Sequence, residues 1–365
     1  MGGGNEPIEV LQLARTPRVG PVTYSALIRR FGSAKAALAA LPELAKRGGG
    51  KAPKPPARAR IEDEIAALQE AGCKLLVKGS ADFPPHLEAL EDCPAVLTLR
   101  GHADLLNKPM IAMVGARNAS TIGRKLASTL AAELGREGVV VASGMARGID
   151  TAAHVGALEH GTVAVLAGGI DRIYPKENTE LYHALCERGA VLSEMPWGAE
   201  PKAPLFPRRN RIVSGMSLGV IVVEAAQRSG SLITARMAGE QGRQVYAVPG
   251  NPMDPRAAGA NHLIREGAIL IRSAEDVLDD LAPQLSGVAM PRQTFLSQHI
   301  AHTTAQPDAA ARARLLDALS AVPTLIDDII RDTGLKPEIV AAAALELELA
   351  GKLERHTGGR LARAA

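Results

Sequence analysis

The stretch Met110–His154, MIAMVGARNASTIGRKLASTLAAELGREGVVVASGMARGIDTAAH, constrains the fold more than any other part of the chain. Met110–Val114 is a short apolar run that stops at Gly115, the pattern of a strand buried on both faces. Gly115–Thr121 is small and polar, and Ser120 or Thr121 can cap a helix there. That helix carries Ile122, Leu126, Leu130 and Leu134 at four-residue spacing, which predicts one buried face, and Gly138 stops it. Val139–Val141 is a second strand, Ser143-Gly144 a second turn, and a second helix starts near Ile149. The result is a β-α-β-α unit with small residues at both strand-to-helix turns. Ligands of such sheets sit at the carboxyl ends of the strands, against helix N-termini that favour anions.

The alternation continues to Leu281. Strands are expected at Met110–Val114, Val139–Ala142, Thr162–Leu166, Ala190–Ser193, Val220–Glu224, Gln244–Val248 and Ala268–Ile271. Helices are expected near Ile122–Glu137, Ile149–His160, Thr179–Arg188, Ile233–Gln241, Ala260–Arg265 and Ala274–Leu281. Strands alternating with helices imply a mostly parallel, doubly wound α/β sheet. The extended segments Lys74–Val77 and Val96–Leu99 lead into it.

With 365 residues, the chain has room for two or three domains. Residues 1–72 read as a helical domain and 73–285 as the α/β domain. Residues 286–310 read as a linker with Pro291 and Pro307, and 311–365 as a second helical domain. In the first, TPRVGPVTYSALIRRFGSAKAAL has helix–hairpin–helix character, and the exposed loop GGGKAPKPPA follows. The last domain has the order of a small winged helix. Thr324 is placed to cap one helix, Pro337 opens another, and Lys352–Leu361 with Gly358-Gly359 forms the wing. The helix that would read DNA, Pro337–Leu349, carries Glu338, Glu346 and Glu348, which disfavours contact with phosphates and favours contact with protein.

Several classes of function fall away. No apolar run approaches the roughly 20 residues of a membrane span, and no secretory signal opens the chain, so no membrane partner is expected. Three scattered cysteines, Cys73, Cys93 and Cys186, fit a reducing cytoplasm rather than a disulfide framework or zinc site. The nine histidines have no metal-ligand spacing, and His154 and His160 read as packing or capping residues; no metal is implied. GxxxxGK[ST], GxGxxG and GxSxG are all missing, so neither a nucleotide cofactor nor a catalytic serine is implied.

What remains is a series of turns at predicted strand ends: Val114–Ser120, Ser143–Asp150, Gly168–Asn178, Phe206–Gly215, Glu224–Ala235 and Val248–Pro252. They carry Arg117, Arg147, Lys176, Arg208, Arg209, Arg211 and Arg228. Net charge is only +3, so nucleic-acid binding would need such a local patch. Three arginines within Phe206–Arg211 are costly to bury unless paired; one is expected in an internal ion pair, through Glu194 or Glu224. Aromatics are 2% of the chain, yet Tyr174, Tyr182, Trp197 and Phe206 fall in this central third. Tyr174 and Phe206, each beside a proline, are candidate stacking faces for single-stranded nucleic acid.

Taken together, VGARNAS, SGMARGID..AH.GAL, GGIDRIYPKEN, SEMP, FPRRNRI, VEA..RSGSLITA, GR.VYAVPG and G.N.LI..GA resemble the bacterial DNA-processing protein A family (DprA, also called Smf) from about Ser80 to Leu281. The resemblance implies an extended Rossmann-like domain flanked by an N-terminal sterile-alpha-motif-like helical domain and a C-terminal winged helix. It implies a cytoplasmic, non-enzymatic protein that binds and protects single-stranded DNA and loads the RecA recombinase in natural transformation. By the same resemblance, DNA contacts fall on Arg117, Lys176, Arg209, Asn210 and Arg211, framed by Ser143, Gly144, Ser229, Gly230 and Ser231; Phe206 and Arg208, from the ring and charge of the same stretch, complete the expected DNA-binding set. A homodimer is implied through Leu263, Ile264 and Leu270. Ala116 departs from the serine many members carry, which removes a side-chain hydroxyl there but not a backbone contact. The rival reading is an enzyme, because RSGSLITA is similar in position to the phosphate turn of nucleotide phosphoribohydrolases. Those need an acid in the motif, and Met237 stands at the corresponding place.

Overall fold

The computed structural model describes residues 6–285, 306–356 and 358–364; most of the expected linker lies outside the described residues. The chain divides into two units, one made of residues 1–63 with 294–365 and the other of residues 64–293.

The first unit begins with α1 (Pro7–Ala14), α2 (Pro21–Phe31) and α3 (Ala34–Arg47), and α4 (Arg58–Glu70) leads out of it. Proline opens α1 and α2, where its missing N–H costs nothing. Ser33 caps α3 by accepting from the Ala36 amide. Leu11, Leu13, Leu27, Leu41 and Leu44 are buried.

The second unit is one nine-stranded sheet. In chain order it runs β1 (Lys74–Val77), α5 (Pro85–Glu88), β2 (Val96–Gly101), β3 (Met110–Val114), α6 (Thr121–Arg136), β4 (Val140–Ser143) and α7 (Ile149–Ala157). Next come β5 (Thr162–Leu166), α8 (Thr179–Arg188), β6 (Ala190–Ser193), α9 (Leu205–Gly215), β7 (Gly219–Val222) and α10 (Gly230–Glu240). β8 (Gln244–Ala247), α11 (Ala258–Arg265), β9 (Ile269–Leu270) and α12 (Ala274–Leu285) complete it. The spatial order is β1-β2-β6-β5-β4-β3-β7-β8-β9. Strands β3 to β9 are parallel, as expected; β1 and β2 add an antiparallel edge, with Thr98 opposite Ser193. Strand β3 is buried on both faces. Ile111 and Met113 pack with Leu130, Leu134 and Ile149, while Ala112 and Val114 join the core beneath Ile212 and Val213. The order of connection reverses between β3 and β7, which places a crevice at their carboxyl ends.

The first unit closes with α13 (Ala309–Asp317), β10 (Thr324–Leu325), α14 (Ile326–Thr333), α15 (Pro337–Leu349), β11 (Leu353–His356) and β12 (Arg360–Arg363), in winged-helix order. Leu315, Ile329, Val340, Leu347 and Leu361 form its core.

Three local expectations are corrected. Ile122 is 80% exposed, whereas Leu126 is partly buried and Leu130 and Leu134 are buried as expected, together with Gly123, Ala127, Ala131 and Gly135. Thr324 is a strand residue, and α14 starts after Leu325. Phe206–Gly215, read as a cationic turn, is helix α9. Its Pro207 lies in the first turn, where proline is tolerated, and Ile212, Val213 and Met216 bury its far end.

Candidate nucleic-acid site

A cleft of about 850 Å³ opens at the reversal point. Its walls are the turn after β3, the turn after β4, Tyr174 and Pro175 from the loop after β5, one face of α9, and the turn into α10. Helical geometry selects which arginines reach it. Phe206, Arg209, Asn210 and Val213 recur at three- and four-residue spacing and line the cleft. Arg211 lies about 200° round the helix from Arg209, at 100° per residue. Its guanidinium is buried, donating to a Glu194 carboxylate oxygen and to the Asp92 carbonyl, each at 2.6 Å. One arginine of the three is thus spent internally through Glu194, as expected.

Arg209 forms the floor. It is 6% exposed, and its Nη1 donates to the Val165 carbonyl at 2.6 Å. Burial pushes its pKa down to about 10, against the pull of Asp150 and with a small push from Arg117. Asp150, at the start of α7, accepts from the amides of Gly144 and Ala146 at 3.1 and 3.3 Å, which fixes the turn after β4. Burial raises its pKa, and Arg209 opposes that rise. The two opposite charges therefore offset each other in a dry place, the condition under which buried ions are tolerated. A Cβ on Gly144 would stand 2.0 Å from Arg209 Nη1, so the guanidinium holds its place only beside a glycine and would have to shift for any larger residue.

At the mouth the chemistry changes. The Arg117 guanidinium lies 5.5 Å over the Phe206 ring, and Phe206 meets Tyr174 edge-on at 5.7 Å. Tyr174 is 46% exposed. On the opposite wall Ser229 caps α10, accepting from the Ser231 amide, and Gly230 leaves the helix start open. That end of the dipole faces the cleft and favours an anion. Exposed Arg228 and Arg256 line the same wall; Arg256 is held bidentate by Asp254 at 2.8–3.3 Å. Arg147 also lines the cleft, paired with Glu177.

The start of α6 is different. Glu224 accepts from the Ser120 amide at 2.9 Å and from its hydroxyl at 2.6 Å, and Ser120 in turn accepts from the Gly123 amide. A carboxylate of the chain therefore occupies the helix start that many Rossmann-type folds offer to a nucleotide phosphate. Of the two acids expected to pair with an arginine, Glu194 does so and Glu224 caps this helix instead.

Of the expected site residues, Arg117, Gly144, Phe206, Arg209, Asn210, Ser229, Gly230 and Ser231 are brought together in the cleft. Lys176 is exposed next to Pro175, outside the lining, and Arg208 is exposed on the outer side of α9. Ser143 is fully buried and its hydroxyl donates to the Met113 carbonyl, so it serves the fold. Asp150 and Arg256 were not singled out as site residues from sequence; an acid beneath an anion site and an arginine in a Pro/Asp loop carry no pattern of their own. Leu263 and Ile264 are partly buried against the sheet core, while Leu270 on β9 is 44% exposed. Among the described residues no group of three or more His, Cys, Asp or Glu is arranged to hold a metal, and no helix is long and apolar enough to cross a membrane.

An extended Rossmann-type sheet carries, at the reversal point, a cleft that combines arginines, an exposed tyrosine beside a half-buried phenylalanine, and an open helix start, the arrangement of a protein suited to anions. The family model described as DNA recombination-mediator protein A matches residues 74–282, and the chain belongs to that family. A DprA-like N-terminal HHH domain matches residues 5–67 and a DprA winged helix domain residues 300–359. The chain is 39% identical to protein Smf of Escherichia coli K12 over 314 residues, covering 84% of this chain and 82% of that one. It is 43% identical to DNA processing protein DprA of Bacillus subtilis over 220 residues, covering 60% of this chain and 74% of that one. Among solved structures, DprA of Streptococcus pneumoniae superposes with a TM-score of 0.61 at 33% identity, over 77% of this chain and 99% of that one. The DNA processing protein A of Helicobacter pylori, described for its single-stranded DNA binding mode, superposes at 0.53 with 29% identity, over 58% and 96%.

Proposed function

We propose that this chain binds single-stranded DNA in the central cleft without reading its sequence, protects it, and passes it to a RecA-type recombinase in the cytoplasm during transformation and recombination. The observation that carries this reading is the set Arg117, Phe206 and Tyr174 at the cleft mouth, facing the open start of α10. Phosphate is met by arginine and by helix amides; bases are met by exposed ring faces, which are available in a single strand and hidden in a duplex. The single-stranded DNA binding mode described for the Helicobacter pylori relative supports the same ligand here. Membership of a recombination-mediator family supports the recombinase as the next partner. Pairing of two subunits through Leu270 on the edge strand β9, with Leu263 and Ile264 behind it, belongs to the same proposal.

The phosphoribohydrolase alternative needs a free carboxylate beside the ligand. Among the residues that line the cleft the one carboxylate is Asp150, and it is committed to two backbone amides. A binding protein, not an enzyme, is the reading this supports.

Fluorescence anisotropy with matched single- and double-stranded oligonucleotides over a salt series tests the proposal. Each neutralised phosphate contributes about 0.7 to the log–log salt slope for a single strand. Arg117→Ala should weaken all single strands alike and flatten the slope by somewhat under one unit, with an added loss from the disturbed Phe206 face. Lys176→Ala, at the rim, should flatten the slope with a smaller loss. Unchanged affinity and slope in both folded variants would refute the site.

A further inference from the structure

The helix that a winged helix ordinarily lays in a DNA groove is α15, and in this chain its C-terminal half is covered on every side, while Pro337, Glu338 and Ala341 in the N-terminal half stay exposed. Residues Ala343–Leu349 are all buried. Val340, Ala343, Ala344 and Leu347 face the winged-helix core. The opposite side meets the N-terminal helices of the same unit. The Thr23 hydroxyl donates to Glu348 at 2.7 Å, and Arg355 donates to the same carboxylate oxygen at 2.8 Å. Arg312 donates to Glu346 at 2.8 Å, and Arg47 stands 4.0 Å from that carboxylate's other oxygen. The approach is close enough to exclude any side chain at its centre. A Cβ on Gly48 would stand 2.2 Å from the Glu346 carbonyl, and one on Gly50 2.2 Å from the Ala350 carbonyl.

The hairpin between α1 and α2 takes part as well. Arg18, at its tip with a φ of 63°, donates to the Leu349 carbonyl at 2.6 Å and to the Lys51 carbonyl at 2.9 Å. It thus caps the end of α15, where unpaired carbonyls favour a cation. The tip of a helix–hairpin–helix and the reading helix of a winged helix, two elements of nucleic-acid-binding type, are spent on each other.

We propose that α15 is a protein-docking helix whose partner is the chain's own N-terminal helical segment, and that the interlocked unit does not bind duplex DNA. This accounts for the acidity of the helix. Glu346 and Glu348 are placed to meet Arg47, Arg312, Arg355 and Thr23, and they would repel phosphate if uncovered.

The test uses the full-length protein with a protease site inserted within residues 286–305. After cutting, the C-terminal piece should co-elute with the remainder on size exclusion. Gly48→Leu, which drives a side chain into the Glu346 carbonyl, should release it. Should that variant misfold, Arg18→Ala with Thr23→Val removes two contacts without adding bulk and should weaken the association at least tenfold. Loss of the piece from the unsubstituted cut protein, or retention of equal strength in the variants, overturns the docking. Duplex anisotropy supplies the second arm. The variants should bind a duplex no more tightly than the parent, and a tenfold gain would overturn the proposal by revealing a masked DNA-reading helix.

Discussion

Replacing Gly144 by alanine would place a methyl group 2.0 Å from Arg209 Nη1, 2.3 Å from Cζ and 2.5 Å from Nη2. The guanidinium must leave, and its bond to the Val165 carbonyl leaves with it. A hydrogen bond to a charged group contributes about 1.5–3 kcal/mol. A loss of about 2 kcal/mol in a unit of this size lowers the melting temperature by about 4–8 °C. Asp150 then loses its counter-charge while still buried, which works in the same direction. Single-strand affinity should fall about tenfold, because a floor cation has been displaced and the turn after β4 is no longer pinned. Urea unfolding followed by circular dichroism reads the stability, and anisotropy reads the affinity. The decisive comparison is a cycle with Arg209→Ala. In that background the new methyl has no guanidinium to meet, so alanine at 144 should cost no more than about 0.5 kcal/mol. An equal cost in both backgrounds would refute the reasoning, since the clash with Arg209 would then not be its source.

His154 predicts an acid sensitivity. It is fully buried, its Nδ1 lies 2.7 Å from the Thr162 hydroxyl, which itself donates to Val141, so Nδ1 carries the proton and Nε2 is bare. Burial, aided by Arg209, pushes its pKa down to about 3. The unfolded chain binds this proton first, so stability should be full above pH 6.5 and fall by up to about 1.4 kcal/mol per unit as pH drops toward 3; His154→Gln should flatten that part of a stability–pH profile, and an unchanged profile would contradict it. Leu270→Glu should give a folded monomer by light scattering, whereas Ile264→Glu, half inside the core, should also cost stability; an unchanged dimer from Leu270→Glu would remove β9 from the interface. Residues 58–285 alone should keep most single-strand binding, whereas deleting Ala311–Ala365 alone should lower stability by uncovering Thr23, Arg18 and Arg47; a large loss of binding by a folded 58–285 chain would assign the terminal unit a direct role.

The central parallel strands were legible because they are short apolar runs buried on both faces and punctuated by small residues, as in Met110–Val114 and Thr162–Leu166. The antiparallel edge was visible only as extended segments, since pairing partners such as Thr98 and Ser193 are far apart in sequence. Helix α9 was hidden because Pro207 and three arginines obscure an apolar periodicity that becomes clear only after Ile212. The same omission blurred the site: Arg209 and Arg211 look equivalent in a turn and point apart in a helix. Asp150 could not be found by searching for charge complementary to DNA, because its task is to hold two amides and balance Arg209. The joining of the chain's two ends rests on tertiary contacts such as Thr23 with Glu348, for which local sequence carries no signal.

Glu224 has a consequence for competition between monomer and polymer. With the start of α6 closed by its carboxylate, a free nucleotide finds one helix-start seat, at α10, where a fold open at both would let it bridge two. A single phosphate held at one seat gains nothing from its neighbours. A strand brings successive phosphates on one backbone, so that each contact raises the local concentration for the next. On the proposed reading, closing one seat would penalise loose nucleotides more than a strand, and Glu224, which does not itself line the cleft, would favour polymer without touching it.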